Sequence, residues 1–222
     1  MVKSIEVIYS PNSKIDAAIK EMLPDFDPGS QKRMKRKILN AKKAAEKHRD
    51  DNTDAEARHV FREFIPASIL NRNGYTLEYE TSINGKTPDW LDSTSKLMLE
   101  SYTFERGGSS RFLDRVKSSV ADKCDKYEDI ITDHSLRFVI SVYLDFWTTI
   151  EIEECCEDSA AFRTTFDESD CLWGILFFTE QQRSEFSIVG QPYGFFCLTT
   201  DGTHETMPGW PFPSADRNFD FR

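Results

Sequence analysis

The 222-residue sequence predicts an α/β (α+β) fold, with a central mixed β-sheet flanked by helices and a helical extension ahead of it. Three observations carry that expectation. Three stretches between residues 13 and 74 repeat their apolar positions at helical spacing. Tyr75, Leu77, Tyr79, Thr81 and Ile83 then alternate with Thr76, Glu78, Glu80 and Ser82, the pattern of a half-buried strand. Finally, a helix-period stretch over residues 109–131 falls between apolar runs of strand character. Apolar residues make up 39% of the chain and aromatic residues 13%, enough for a packed core and against global disorder.

Residues 2–9, "VKSIEVIY", read as a short strand or an arm. "SKIDAAIKEML" has helical spacing, and "PDFDPGS" stops it with two prolines and a glycine. "QKRMKRKILNAKKAAEKHRD" is rich in strong helix formers, with Met34, Ile38, Ala41 and Ala45 on one stripe. In "TDAEARHVFREFIPASILNRNG", Thr53 and Glu56 have capping-box spacing, Val60, Phe61, Phe64, Ile65, Ser68 and Ile69 form an apolar face, and Gly74 is a stop. Pro66 predicts a kink or two abutting helices, because it removes a donor and crowds the preceding turn. After the alternating strand, "NGK" turns the chain, "TPDWLDS" is a short second strand and "KLMLESYTF" a third. The helix over 109–131 leads to a buried fourth strand, "LRFVISVYLDF", and "CLWGILFFTE" and "YGFFCLTT" read as two more. Residues 1–52 are taken as an extension carrying the basic helix, and residues 53–222 as the main domain.

Net charge is −10, so the surface as a whole does not attract nucleic acid. The charge is unevenly spread. From Gln31 to Arg49 nine Lys or Arg stand against Glu46, a local balance of +8, which leaves −18 for everything else. Five cysteines (Cys124, Cys155, Cys156, Cys171, Cys197) form no zinc-like spacing, and the adjacent Cys155 and Cys156 are poorly placed to pair. The first ten residues hold no long apolar stretch with a cleavage site, and no 18-residue apolar run occurs. The expectation is a reduced, cytoplasmic protein without membrane contact. His48, His59, His134 and His204 are scattered and read as surface or capping residues.

Two acids stand out in "GKTPDWLDSTSKLMLESYTFER": Asp89 directly after a proline, and Glu100 inside an apolar run. On a third strand, Lys96, Met98, Glu100, Tyr102 and Phe104 share one face, so Glu100 looks toward the neighbouring Asp89. Two carboxylates about 4 Å apart repel by about 4 kcal/mol at an effective dielectric near 20. A hard divalent cation such as Mg²⁺ or Mn²⁺ removes that repulsion. The simpler reading keeps Asp89 as a turn cap and Glu100 as a solvated edge residue.

From residue 53 to 146 the expected order is helix, strand, strand, strand, helix, strand. With "TPDW" as the Pro-Asp element and "LMLESY" as the (D/E)xK element, this stretch resembles the core of the PD-(D/E)xK nuclease superfamily, the restriction-endonuclease-like fold. "REFIPASILNRNGYTLEYE" looks like that family's first core helix entering its first strand, with Glu63 where the family often carries a helical acid. The resemblance implies a Mg²⁺- or Mn²⁺-dependent nuclease, DNA rather than RNA as substrate, with Asp89 and Glu100 as metal ligands and Glu63 in support. The biological setting implied is cleavage of foreign or damaged nucleic acid. Where the family carries its lysine, this chain has Tyr102, a phenol that is neutral at pH 7. Lys123 is therefore the candidate water-orienting cation, with Lys126 and Lys96 as alternates.

Lys32, Arg33, Lys35, Arg36, Lys42 and Lys43 are the candidate phosphate contacts. The same helix could instead pair with the acidic remainder of the chain. The competing functional reading is a nuclease-like fold without turnover, binding nucleic acid or a protein partner; a homodimer is left open. Trp210, Phe212, Phe219 and Phe221 are expected to cover a sheet edge rather than stack on bases.

Overall fold

The computed structural model describes residues 14–48, 53–103, 112–144, 171–179, 194–199 and 207–212. The expected strand at residues 2–9, Cys155 and Cys156, His204, Phe219 and Phe221 lie outside them, as do the side chains of Ala45, His48, Thr53 and Glu56. The described residues hold the helices α1 (Lys14–Met22), α2 (Pro28–His48), α3 (Thr53–Arg72) and α4 (Phe112–His134). A short 3-10 turn, Leu23–Asp25, follows α1. The strands are β1 (Glu78–Tyr79), β2 (Trp90–Asp92), β3 (Leu97–Thr103), β4 (Arg137–Leu144), β5 (Leu172–Thr179) and β6 (Gly194–Thr199). They form one mixed sheet in the order β1-β2-β3-β4-β5-β6. The pairs β3·β4 and β4·β5 are parallel, and the other three are antiparallel.

Local chemistry explains the helix boundaries. Asp27 opens α2: its Oδ1 accepts from the N–H groups of Gly29 (2.7 Å) and Ser30 (3.0 Å), and Pro28 takes the first helical position, where no donor is needed. "PDFDPGS" thus ends one helix and begins the next. At the other end of α3, Tyr75 N–H donates to Leu70 O and Gly74 N–H to Asn71 O, with Gly74 at φ +96°. That is a Schellman closure, and it needs the left-handed residue that glycine supplies. Ser135, at φ +52°, closes α4 in the same way, through Leu136 N–H to Ile131 O and Ser135 N–H to Thr132 O. Pro66 sits inside α3, which continues as one helix rather than two abutting ones. The hairpin turn falls on Asn84 and Gly85, both at positive φ, between Ile83 and Lys86.

The sheet buries both faces, which is why β3, β4 and β5 read as nearly continuous apolar runs. Tyr79, Trp90, Leu97, Leu99, Val139, Tyr143, Leu176 and Phe178 pack under α1, α2 and α3 with Met34, Ile38, Phe64 and Ile65. On the opposite face Leu91, Met98, Phe138, Ile140, Val142, Ile175 and Phe177 pack against Val116, Val120 and Tyr127 of α4. The α2 stripe of Met34, Ile38 and Ala41 lies in the first of these cores, so α2 shares its apolar interior with α3 and the sheet. The alternating strand expected over residues 75–83 forms a regular ladder at Glu78–Tyr79 and an isolated bridge from Ile83 to Lys86, while Tyr75, Leu77 and Tyr79 are buried between exposed neighbours. Glu80, at φ +48°, interrupts the regular ladder after that pair, while its N–H still donates to Asp89 O at 2.9 Å.

Cys124 of α4 and Cys171, directly before β5, form a disulfide with Cα atoms 6.0 Å apart. This corrects the expectation of a fully reduced set of cysteines, and no spacing in the sequence singles out the pair. Of the tail aromatics, Trp210 packs edge-on to Tyr75, Trp173 and Phe212, so this part of the tail covers the end of the helical face. Among the described residues, no helix is long and apolar enough to cross a membrane.

Candidate active site

Strand register brings the two acids together. β2 and β3 are antiparallel with Trp90 opposite Leu99, and one step outward sets Asp89 opposite Glu100. Directly opposed residues share a sheet face, here the α4 face that Leu91 and Met98 also occupy. The hydrogen bonds are reciprocal. Asp89 N–H donates to Glu100 Oε1 at 2.9 Å, and Ser101 N–H donates to Asp89 Oδ2 at 2.8 Å. Ser141 Oγ steadies the strand by donating to Glu100 O at 3.3 Å.

Glu100 is 1% exposed, and a buried carboxylate requires a partner. That partner is Lys123, whose Nζ forms an ion pair with Glu100 Oε2. Lys123 comes from α4, the helix following β3. Of the three candidate lysines it alone is ion-paired to Glu100: Lys126 lies with its Nζ 4.4 Å over the Tyr127 ring, and Lys96 is exposed on the β2–β3 turn. Tyr102 is half-buried and packs against the α4-side cluster.

Glu63 is held on the opposite side of the strand end. Its backbone carbonyl accepts from Trp90 Nε1 at 2.9 Å, and its Oε2 takes both Lys37 Nζ (2.7 Å) and the Tyr79 hydroxyl (3.0 Å). Lys37 also lies 3.5 Å from Glu80 Oε1. Burial raises the Asp89 carboxyl, and the charges of Glu100 and Glu63 raise it further, up to about 7; the Ser101 N–H and Lys37 oppose them. Tyr127 is pushed well above the ordinary phenol value by burial and then by Glu100, and its hydroxyl donates to Thr87 O at 3.2 Å. Tyr79 is likewise pushed up by burial and by Glu63, so both phenols are neutral donors.

The donor set suits a hard divalent cation: two facing carboxylates, of which Asp89 has its proton affinity raised by burial and by the charges of Glu100 and Glu63. Among the described residues no three of His, Cys, Asp and Glu are grouped to share a metal.

The six basic residues separate by helix face. Lys32, Arg36 and Lys43 are exposed; Lys35 and Lys42 are half-buried. Arg33 turns inward, donating to Tyr79 O and, at 3.3 Å, to Ser30 Oγ. Sequence reasoning does not single out Lys37, Tyr79, Ser101 or Tyr127. Lys37 carries a signal, since positions 33, 34, 37, 38 and 41 share the inward side of α2. Backbone donation from Ser101 has none. No family model matches this chain, and neither a curated protein nor a solved structure matches it.

Proposed function

We propose that the protein is a metal-dependent phosphodiesterase acting on nucleic acid, DNA in preference to RNA, with the site of a PD-(D/E)xK nuclease. The observation that carries this reading is the register that sets Asp89 opposite Glu100 with Lys123 on the same carboxylate. Asp89 and Glu100 would hold the cation, which would supply charge stabilisation at the scissile phosphate and acidify a water. Lys123 stands in for the missing motif lysine: its ammonium lies beside Glu100, where it can orient the attacking water and face the phosphate. Glu63, fixed by Lys37 and Tyr79, supports the ligand pair from the other side of the strand end. Lys32, Arg36 and Lys43 offer phosphate contacts on the outer face of α2.

The competing reading, a nuclease-like module without turnover, draws on Tyr102, which brings no cation to the third motif position. One experiment separates the two. Supercoiled plasmid, linear duplex, single-stranded DNA and RNA are incubated with the protein in Mg²⁺ or Mn²⁺. Metal-dependent cleavage that disappears in Asp89→Ala and Glu100→Ala supports the enzyme, and binding without cleavage in either metal supports the module.

A further inference from the structure

The charge of α2 is divided between two sides of the helix. Lys32, Arg36 and Lys43 fall within about 40° of arc and point outward. Arg33 and Lys37, one turn apart, point at the sheet edge. There, Ser30 Oγ accepts from Tyr79 N–H at 2.8 Å, and Arg33 Nε donates to Tyr79 O. Both backbone groups that Tyr79 offers on the open side of β1 are thereby satisfied by α2, which closes an edge that would otherwise pair with other chains. This docking fixes the position of the next inward residue. Lys37 Nζ lies 2.7 Å from Glu63 Oε2, 3.5 Å from Glu80 Oε1 and 5.3 Å from the centre of the Tyr79 ring.

We propose that Lys37 is a positioning residue of the phosphodiester-cleaving site, holding the Glu63 carboxylate in place and offsetting negative charge that opposes the scissile phosphate. The proposal rests on the nuclease reading above and extends it to a residue from the helical extension. The charge balance gives the reason. Four carboxylates (Asp89, Glu100, Glu63, Glu80) face two ammonium groups (Lys123, Lys37), an excess of two negative charges that one divalent cation cancels. Without Lys37 the loaded site keeps a net negative charge, and an incoming phosphodiester meets it at close range in a partly buried setting. Lys37 keeps its proton there, because Glu63, Asp89 and Glu80 together outweigh burial and hold it above the ordinary lysine value. Glu80 is tied to the same site, since its N–H donates to Asp89 O at 2.9 Å.

The test compares Lys37→Met, Lys37→Gln and Lys37→Arg, each read by calorimetric Mn²⁺ binding and by steady-state cleavage of plasmid. Lys37→Met lowers kcat by about tenfold or more with little change in KM, because the outer face of α2 supplies the ground-state contacts. It also binds Mn²⁺ about threefold tighter, since a positive charge has left the site. Lys37→Arg recovers kcat, and Lys37→Gln, which keeps a donor toward Glu63 without the charge, does not. An unchanged kcat in Lys37→Met, weaker Mn²⁺ binding, or equal recovery by Gln and Arg overturns the proposal. If the wild type cuts in an Asp89- and Glu100-dependent way while Lys37→Met is unaffected, this inference fails and the nuclease reading stands. If the wild type binds no Mn²⁺, or binds it and cuts nothing, both fail.

Discussion

Replacing Asp89 by asparagine should make the metal-free protein more stable while abolishing the proposed cation site. The substitution keeps the shape and an oxygen that can accept the Ser101 N–H, and it removes only the charge. The Asp89 carboxyl is raised from 3.8 to about 7 by burial, then by Glu100 and Glu63. At about 1.4 kcal/mol per unit, a rise of about three units corresponds to at most about 4 kcal/mol. The sign follows from linkage. A carboxyl whose folded pKa lies above its unfolded value binds its proton more tightly in the native state. Its contribution therefore falls as pH rises from about 4 to about 7, and the full cost is present above that. Asp89→Asn should gain about 2–4 kcal/mol at pH 8 and little at pH 4.5, measured by urea unfolding in chelator at both pH values. Added Mg²⁺ should then stabilise the wild type and leave the variant unchanged. An equal gain at both pH values, or a loss at pH 8, would refute the reasoning, because the cost would not be that of a buried charge.

Four further outcomes can be measured. Lys123→Met leaves Glu100 buried without its cation and should cost about 1–3 kcal/mol in urea unfolding, discounted because Lys123 is itself partly exposed, and should remove cleavage. Cys171→Ser opens a loop of 47 residues' separation and should lose up to about 4 kcal/mol under oxidising conditions but not in reductant; peptide mapping without reduction should find the Cys124–Cys171 pair in the wild type. Changing Lys32, Arg36 and Lys43 together to Gln should weaken duplex binding and flatten the log Kd against log salt slope by about 2.7, if each meets one phosphate. Gly74→Ala, at φ +96°, should cost about 1 kcal/mol by thermal or urea unfolding, since the cap geometry is left-handed.

Most of the architecture is legible in the sequence because its periodicities are strong and its punctuation is chemical. The helix ending at Gly74, the turn at Asn84–Gly85 and the buried runs from Leu97 and Arg137 each combine a pattern with a residue that only that geometry favours. The first strand is shorter than its pattern. Alternating burial persists from Tyr75 to Tyr79, but burial pattern and ladder pairing are separate properties, and the bend at Glu80 interrupts the regular ladder. Pro66 argues for a break that the structure does not make, since a buried helix interior outweighs one missing donor. At the site, the facing of Asp89 and Glu100 follows from strand alternation plus one register, and Lys123 from its place on the next helix. Charge counting alone merges Lys37 with a solvated basic run, because it ignores helix phase; the apolar stripe beside it is the clue. The Cys124–Cys171 bond joins residues distant in sequence, and no local pattern encodes such a pair.

The central claim is that Asp89 and Glu100 together hold one divalent cation. Calorimetric titration of Mn²⁺ into the protein at pH 8 tests it most directly. The account predicts one site per chain in the wild type and its loss in both Asp89→Ala and Glu100→Ala. Undiminished binding in either variant, or none in the wild type, would contradict it.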